Sequence, residues 1–205
     1  MGKAVDTQPR RIIGLTGGIA TGKSTVSNYL HHQYGLPVLD ADVYARAAVA
    51  KGSDVLSVIG DRYGPHILLS DGTLNRSSLG NIIFANKAEK EWLEQQIHPF
   101  VRQQFAQAIA TFPAEQTLVY AIPLLFEANL THLVSEIWVV ACTPQQQKER
   151  LMARNQLSAT EAQARIDAQM ALSDKCRLAD HILDNSTTQS SLFSQVDSLL
   201  SHAQS

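Results

Sequence analysis

Cysteine is scarce, with two in 205 residues, and Cys142 and Cys176 stand in apolar or helical surroundings without metal-ligand spacing. This excludes a disulfide-stapled scaffold and suits a reduced, cytoplasmic compartment. The seven histidines are scattered with no H-x-x-x-H pair, so there is no zinc signature. Neither sign of charge dominates: the net charge is −2, which leaves no global basic field to draw nucleic acid or anionic lipid. Long apolar runs are missing too. The longest, Leu118 to Phe126, is too short to span a bilayer and contains Pro123. Arg10-Arg11 ahead of Ile12 to Ala20 imitates a signal peptide, but Gly14, Thr16, Gly17 and Gly18 interrupt its core. Met1-Gly2 invites a myristoylation reading that Asp6, in place of Ser or Thr, denies. Repeats and low-complexity segments are lacking as well. The expectation is a cytoplasmic protein with no membrane, nucleic-acid or obligate protein partner.

What is present is concentrated in one stretch. Gly17-Gly18-Ile19-Ala20-Thr21-Gly22-Lys23-Ser24-Thr25 fits G-x-x-x-x-G-K-[ST]. A short apolar run from Arg11 to Thr16 precedes it as a buried strand, and Val26 to His32 follows with helical character up to Gly35. Strand, glycine loop and helix are the context in which this pattern becomes a mechanism. Its backbone N–H groups turn inward on phosphates at the positive end of a helix dipole. Lys23 then reaches the β- and γ-phosphates of a nucleoside triphosphate, and the Ser24 hydroxyl ligates Mg²⁺.

The length suits one domain over residues 10–205, with residues 1–9 as an unpatterned tail. Strand patterns recur at Leu36 to Asp40, Thr117 to Ile122, Glu136 to Ala141 and His181 to Leu183. With the first, they alternate with helical segments, which predicts an α/β fold: a doubly wound, five-stranded parallel sheet. Helices are expected over Asp42 to Ala50, Ser53 to Tyr63, Ser77 to Ala85 and Lys87 to Ala110, the last disturbed by Pro99. Residues 52–111 thus interrupt the alternation as an inserted helical subdomain over the carboxyl edge of the sheet, where acceptors bind in such folds. Thr143-Pro144-Gln145-Gln146 and Ser158-Ala159-Thr160-Glu161 are capping boxes, the second opening a helix to about Leu172.

Asp40 and Asp42 fall at the carboxyl end of the second strand, the edge that faces phosphates. Carboxylates there organise Mg²⁺ through water or accept a proton from an attacking hydroxyl; alternatively Asp42 caps a helix beginning at Val43. Arg46, one turn on, either binds an acceptor phosphate or pairs with Asp42. Arg150 and Arg154 share one helix face, and the two capped helices over about 144–170 read as a lid that brings positive charge to a transferring group, or else as a solvated surface. Arg165 has a direct partner in Glu161. His98-Pro99 lines an acceptor cleft or only kinks a helix. In Pro123-Leu124-Leu125-Phe126-Glu127, Glu127 is the candidate for substrate contact, with Leu124, Leu125 and Phe126 as wall and core. Asp184 and Asn185, ending the last strand, are a candidate edge of an adenine pocket.

Two signals favour a regulatory GTPase instead: Asp61-Arg62-Tyr63-Gly64 as D-x-x-G, and Asn86-Lys87-Ala88-Glu89 as a variant N-K-x-D. The first closes a helix, the second ends in glutamate, and both lie in the helical insertion, so they read as chance.

Taken in order, the motifs resemble the dephospho-coenzyme A kinase family. The resemblance is carried by the phosphate loop, Asp40-Ala41-Asp42 with Arg46, Asp71-Gly72-Thr73-Leu74-Asn75-Arg76, Ile83-Phe84-Ala85-Asn86, His98-Pro99, Pro123 to Glu127, and Ala179-Asp180 to Asn185. It implies transfer of the γ-phosphate of ATP to the ribose 3′-hydroxyl of dephospho-CoA. In that picture Gly17, Gly18, Ala20, Thr21, Gly22, Lys23, Ser24 and Thr25 hold ATP, and Ser24 and Asp40 serve Mg²⁺. Asp42 orients or deprotonates the hydroxyl, Arg46, His98, Leu124 and Glu127 contact the acceptor, and Arg150 and Arg154 close over the transferring group. The rival within the same architecture is a kinase for a nucleoside monophosphate or a metabolite alcohol.

Overall fold

The structure, a computed structural model, describes residues 10–202; the expected 1–9 tail lies outside them. Five strands form one parallel sheet: β1 (Ile12–Gly17), β2 (Val38–Asp40), β3 (Leu118–Ala121), β4 (Glu136–Ala141) and β5 (His181–Asp184), in the order β2-β3-β1-β4-β5. Parallel strands covered on both faces need continuous apolar runs, and every residue of β3 and the four central residues of β4 are buried. Ile13, Leu15, Val119, Trp138, Val140 and Leu183 form one core with Val26 and Leu30 of α1 (Lys23–Tyr34) and Leu192, Val196 and Leu200 of α9 (Gln189–His202). On β4 packs α8 (Leu172–Arg177).

The strand order fixes where a ligand crevice opens. From β1 the chain moves through α1 to β2 on one side, and from β4 it moves to β5 on the other. Adjacent strands whose connections leave in opposite directions separate the loops at their carboxyl ends, and β1 and β4 are such a pair. Behind β4 comes α6 (Pro144–Asn155), then α7 (Ala159–Asp167), which packs on it. Both capping boxes form, at Thr143 with Gln146 and at Ser158 with Glu161. The second helix stops at Asp167 rather than about Leu172. The residues after it are drawn into other bonds: Gln169 Oε1 accepts from Ile19 N–H at 2.9 Å, and Met170 N–H donates to Glu127 Oε1 at 3.0 Å.

The chain divides into two compact units, one running to Asp40 and resuming at Pro113, the other Ala41–Phe112. The second is helical: α2 (Ala41–Ala48), α3 (Asp54–Tyr63), α4 (Arg76–Ala85) and α5 (Lys87–Ala110). It has its own core of Val49, Leu56, Ile59, Ile67, Leu74, Leu79 and Leu93. Helix α5 continues through Pro99. Helix α2 begins at Ala41, so Asp42 sits in its first turn and is not the cap of a helix starting at Val43.

The two GTPase-like patterns meet in this unit as one structural cluster. Arg62 donates to both oxygens of Glu89, Nε to Oε2 at 2.8 Å and Nη2 to Oε1 at 2.9 Å, while Tyr63 OH donates to Oε2 at 2.6 Å. The guanidinium lies 4.3 Å from the centre of the Trp92 ring, and Asn86 caps α5 through the Ala88 amide. The Arg62 hydrogen bonds, then that of Tyr63, hold the Glu89 carboxyl at about 2, below its ordinary 4.5. A depressed folded-state value contributes stability above pH 4.5 that is lost as pH falls towards 2. Melting of Glu89→Gln against wild type should therefore show a deficit that is steady from pH 7 to 5 and shrinks below about 4.5. A deficit unchanged down to pH 3 would mean the charge of Glu89 does not matter.

Candidate functional site

The loop after β1 is built to present N–H groups and hide carbonyls. Gly18 O accepts from Thr21 N at 3.3 Å and Thr21 Oγ1 at 2.9 Å. Ile19 O accepts from Gln147 Nε2 at 2.9 Å, and Thr21 O from Asn185 Nδ2 at 2.8 Å. Three loop carbonyls are thus pulled towards protein donors. The first amides of α1 have no intrahelical acceptor and lie at the positive end of its dipole. The path needs left-handed backbone at Ala20 (φ 62°) and Gly22 (φ 108°). Glycine makes the second free of strain, and a Cβ there would run into the Asn185 side chain. At Ala20 the conformation costs about 1 kcal/mol that surrounding bonds must offset. Lys23 Nζ donates to Asp40 Oδ2 at 3.4 Å, with the two side chains 12% and 25% exposed. A cation and a carboxylate therefore stand together beside the loop that follows β1.

Buried polar groups point to the same place. Among the described residues, Thr16, Thr21, Ser27, Gln147 and Lys175 are the buried polar or charged side chains. Such groups persist only when hydrogen-bonded, and all five bond to the loop, the start of α1, or the turn after β3. Thr16 Oγ1 and Lys175 Nζ both donate to Pro123 O, at 3.1 and 3.0 Å, and Ser27 Oγ donates to Ser24 O at 3.1 Å.

The sequence candidates fall into four groups. Gly17, Gly18, Ala20, Thr21, Gly22, Lys23, Ser24 and Thr25 form the loop and the start of α1, with Asp40 beside Lys23. Arg150 and Arg154 lie on α6. Arg150 Nη2 donates to Asn185 O at 3.0 Å, which places it one side chain from the loop, and Arg154 is exposed with Nε on Asn155 Oδ1 at 2.9 Å. Leu124 is half-buried in the turn after β3. Glu127, in the same turn, holds the fully buried Lys175 ammonium at 2.9 Å as well as Met170 N–H. Met170 belongs to the segment that follows α7, so this carboxylate anchors the far end of the helix pair.

The remaining candidates are in the helical unit. Asp42, Ala45, Arg46 and Val49 of α2 and the turn after it face a cavity of about 360 Å³. Arg76, Leu79, Gly80 and Ile83 of α4 face the same cavity, as do Leu93 and Ile97 of α5. Both runs of four have the i, i+3, i+4, i+7 spacing of one helix face. Two arginines and one aspartate over an apolar floor suit an organic acceptor bearing phosphate. His98, next to Ile97, is exposed on α5.

Motif reading passed over Gln147, Gln169 and Lys175, and it gave Arg76, quoted within a motif, no role. Glutamine and lysine in helical segments look like solvated surface, and nothing local marks the ones that turn inward.

Similarity to known proteins runs along nearly the whole chain. The family model described as Dephospho-CoA kinase matches residues 11–191. A protein of Synechocystis sp. named Dephospho-CoA kinase is 59% identical over 184 residues, covering 89% of this chain and 92% of the relative. One from Trichormus variabilis with the same name is 56% identical, covering 92% and 95%. The solved dephospho-CoA kinase from Campylobacter jejuni superposes with a TM-score of 0.67 at 25% identity, over 94% of this chain and 96% of that one. The loop, the strand order and these matches agree: the chain belongs to the dephospho-CoA kinase family.

Proposed function

We propose that this chain transfers the γ-phosphoryl group of ATP to the ribose 3′-hydroxyl of dephospho-CoA, giving CoA and ADP, and that the residues assembled above divide the work. Family membership supports the reaction. The observation that carries the donor site is the loop with its carbonyls held outward and Lys23 at its rim. The loop amides and Lys23 hold the triphosphate, and Lys23 exchanges Asp40 for phosphate oxygen. Asp42 orients the acceptor hydroxyl and takes its proton, while Arg46 and Arg76 hold acceptor phosphate in the helical unit's cavity, with His98 and Leu124 contacting the rest of the acceptor. Arg150 and Arg154 bring positive charge to the equatorial oxygens as the bond to ADP breaks and the bond to the hydroxyl forms. Catalysis of this kind is positioning and charge stabilisation.

The donor set beside the loop fits Mg²⁺. Among the described residues no three His, Cys, Asp or Glu side chains gather on one metal position. The Ser24 hydroxyl and the Asp40 carboxylate are hard oxygen donors beside the loop. That set suits an ion that keeps several waters and rides on substrate phosphates. Ser24 and Asp40 would hold the ion, which would supply positive charge to the triphosphate.

The test is incubation with Mg-ATP and a panel of acceptors, with products identified by mass. Phosphorylated dephospho-CoA is the expected product; turnover of a nucleoside monophosphate or a metabolite alcohol in its place would overturn the acceptor assignment. Arg154→Ala should lower kcat about 10²-fold in the same assay, since its guanidinium is exposed and bonded only locally in the structure. An unchanged rate would return Arg154 to the solvated surface.

A further inference from the structure

Ile19, in the middle of the phosphate loop, has both of its backbone polar groups taken by glutamine side chains of opposite polarity. Its N–H donates to Gln169 Oε1 at 2.9 Å, and its C=O accepts from Gln147 Nε2 at 2.9 Å. The backbone itself dictates which end of each amide faces it, because an N–H needs the oxygen and a carbonyl needs the nitrogen. Gln147 is 4% exposed and lies on α6, the first helix after β4. Gln169 follows the end of α7, beside Met170, whose N–H donates to Glu127 in the turn after β3; Lys175 holds the same carboxylate. The two ends of the arginine-bearing helix pair therefore grip one residue of the loop. The close approach also explains a glycine: a Cβ on Gly18 would lie 2.5 Å from Gln147 Nε2.

We propose that Gln147 and Gln169 are positioning residues that clamp Ile19 and so hold the phosphate loop in its triphosphate-binding shape, coupling that shape to the seating of the α6–α7 pair. The clamp acts through Ile19. Gln147 keeps the carbonyl out of the cradle, where it would repel phosphate oxygen, and Gln169 fixes the orientation of the peptide plane on the other side. This rests on the reading of the loop as the ATP site.

Polarity supplies the test. Glutamate accepts hydrogen bonds and, when ionised, donates none. At 169 it keeps the bond to Ile19 N–H; at 147 it sets an acceptor against the Ile19 carbonyl. Both variants add one negative charge near the same residue, so charge alone affects them alike. ATP affinity is measured by calorimetry on the full chain, without acceptor, alongside KM for dephospho-CoA and melting temperature. Gln147→Met and Gln169→Met should each weaken ATP about tenfold, as for one lost hydrogen bond. Gln169→Glu should recover most of its loss, Gln147→Glu should fall to about a hundredfold deficit, and acceptor KM should stay near wild type. Equal losses in the two glutamate variants, or wild-type affinity in both methionine variants, would overturn the clamp. If the buried Gln147 variants melt below the assay temperature, the half-buried Gln169→Met and Gln169→Glu pair decides: recovery by glutamate supports the clamp, and no recovery refutes it. Failure of the wild-type protein to bind ATP is a separate result that would overturn the loop reading itself.

Discussion

Lys23→Ala is expected to remove turnover, with a fall in kcat on the order of 10³-fold or more, while the protein remains folded. In the proposed reaction the loop amides supply only partial charges, and Lys23 would bring a full one to where the γ-phosphoryl group parts from its bridging oxygen. Its side chain is 12% exposed and Nζ stands 3.4 Å from Asp40 Oδ2, so the ammonium is already held at the rim before substrate arrives. Alanine cannot reach the phosphates and offers no donor. The structural penalty is small, because an ion pair whose carboxylate is a quarter exposed contributes about 0–1 kcal/mol. Steady-state kinetics with Mg-ATP and dephospho-CoA, paired with a thermal melt, make the check. Wild-type-like turnover would show that this loop is not the donor site.

Glu127→Ala should give the largest stability loss, about 3 kcal/mol and hence a melting temperature lower by about 6–12 °C for a chain of this size. Lys175 is fully buried, and its ammonium has two acceptors, Glu127 Oε1 at 2.9 Å and Pro123 O at 3.0 Å. Deleting the carboxylate leaves a cation with one neutral acceptor in a place water does not reach. Lys175→Met should cost less, because Glu127 is 23% exposed and keeps the Met170 amide. Removing both charges, as in Glu127→Leu with Lys175→Met, should recover most of the loss, since apolar replacements of buried pairs are close to neutral. Differential scanning calorimetry of the three variants decides the matter. A Glu127→Ala melt within about 2 °C of wild type would place Glu127 outside the structural support and favour direct contact with substrate.

Patterns legible in the sequence are those whose parts are local in the chain. The phosphate loop is local: nine consecutive residues, a strand before and a helix after, all within reach of one another by covalent connection. The two capping boxes are local for the same reason, and so are the strands, most clearly β1, β3 and β4, whose apolar runs are buried. Glu127 and the GTPase-like patterns show the limit. Asp61 to Gly64 and Asn86 to Glu89 look like nucleotide motifs in one dimension, and folding turns Arg62, Tyr63, Glu89 and Trp92 into a structural cluster. Glu127 lies in the turn after β3, yet its partner Lys175 is 48 positions further on, in a helix with no local signal.

The phosphate loop, the parallel sheet and the family were set by short-range pattern, because backbone geometry and apolar period are written in neighbouring residues. The glutamine clamp on Ile19, the buried Lys175 and the cavity with its paired arginines came from folding alone. The clamp and the Lys175–Pro123 bond join residues 52 to 150 positions apart at hydrogen-bond distance, the cavity gathers residues of α2, α4 and α5, and no local preference encodes which of many solvated-looking residues folding will turn inward.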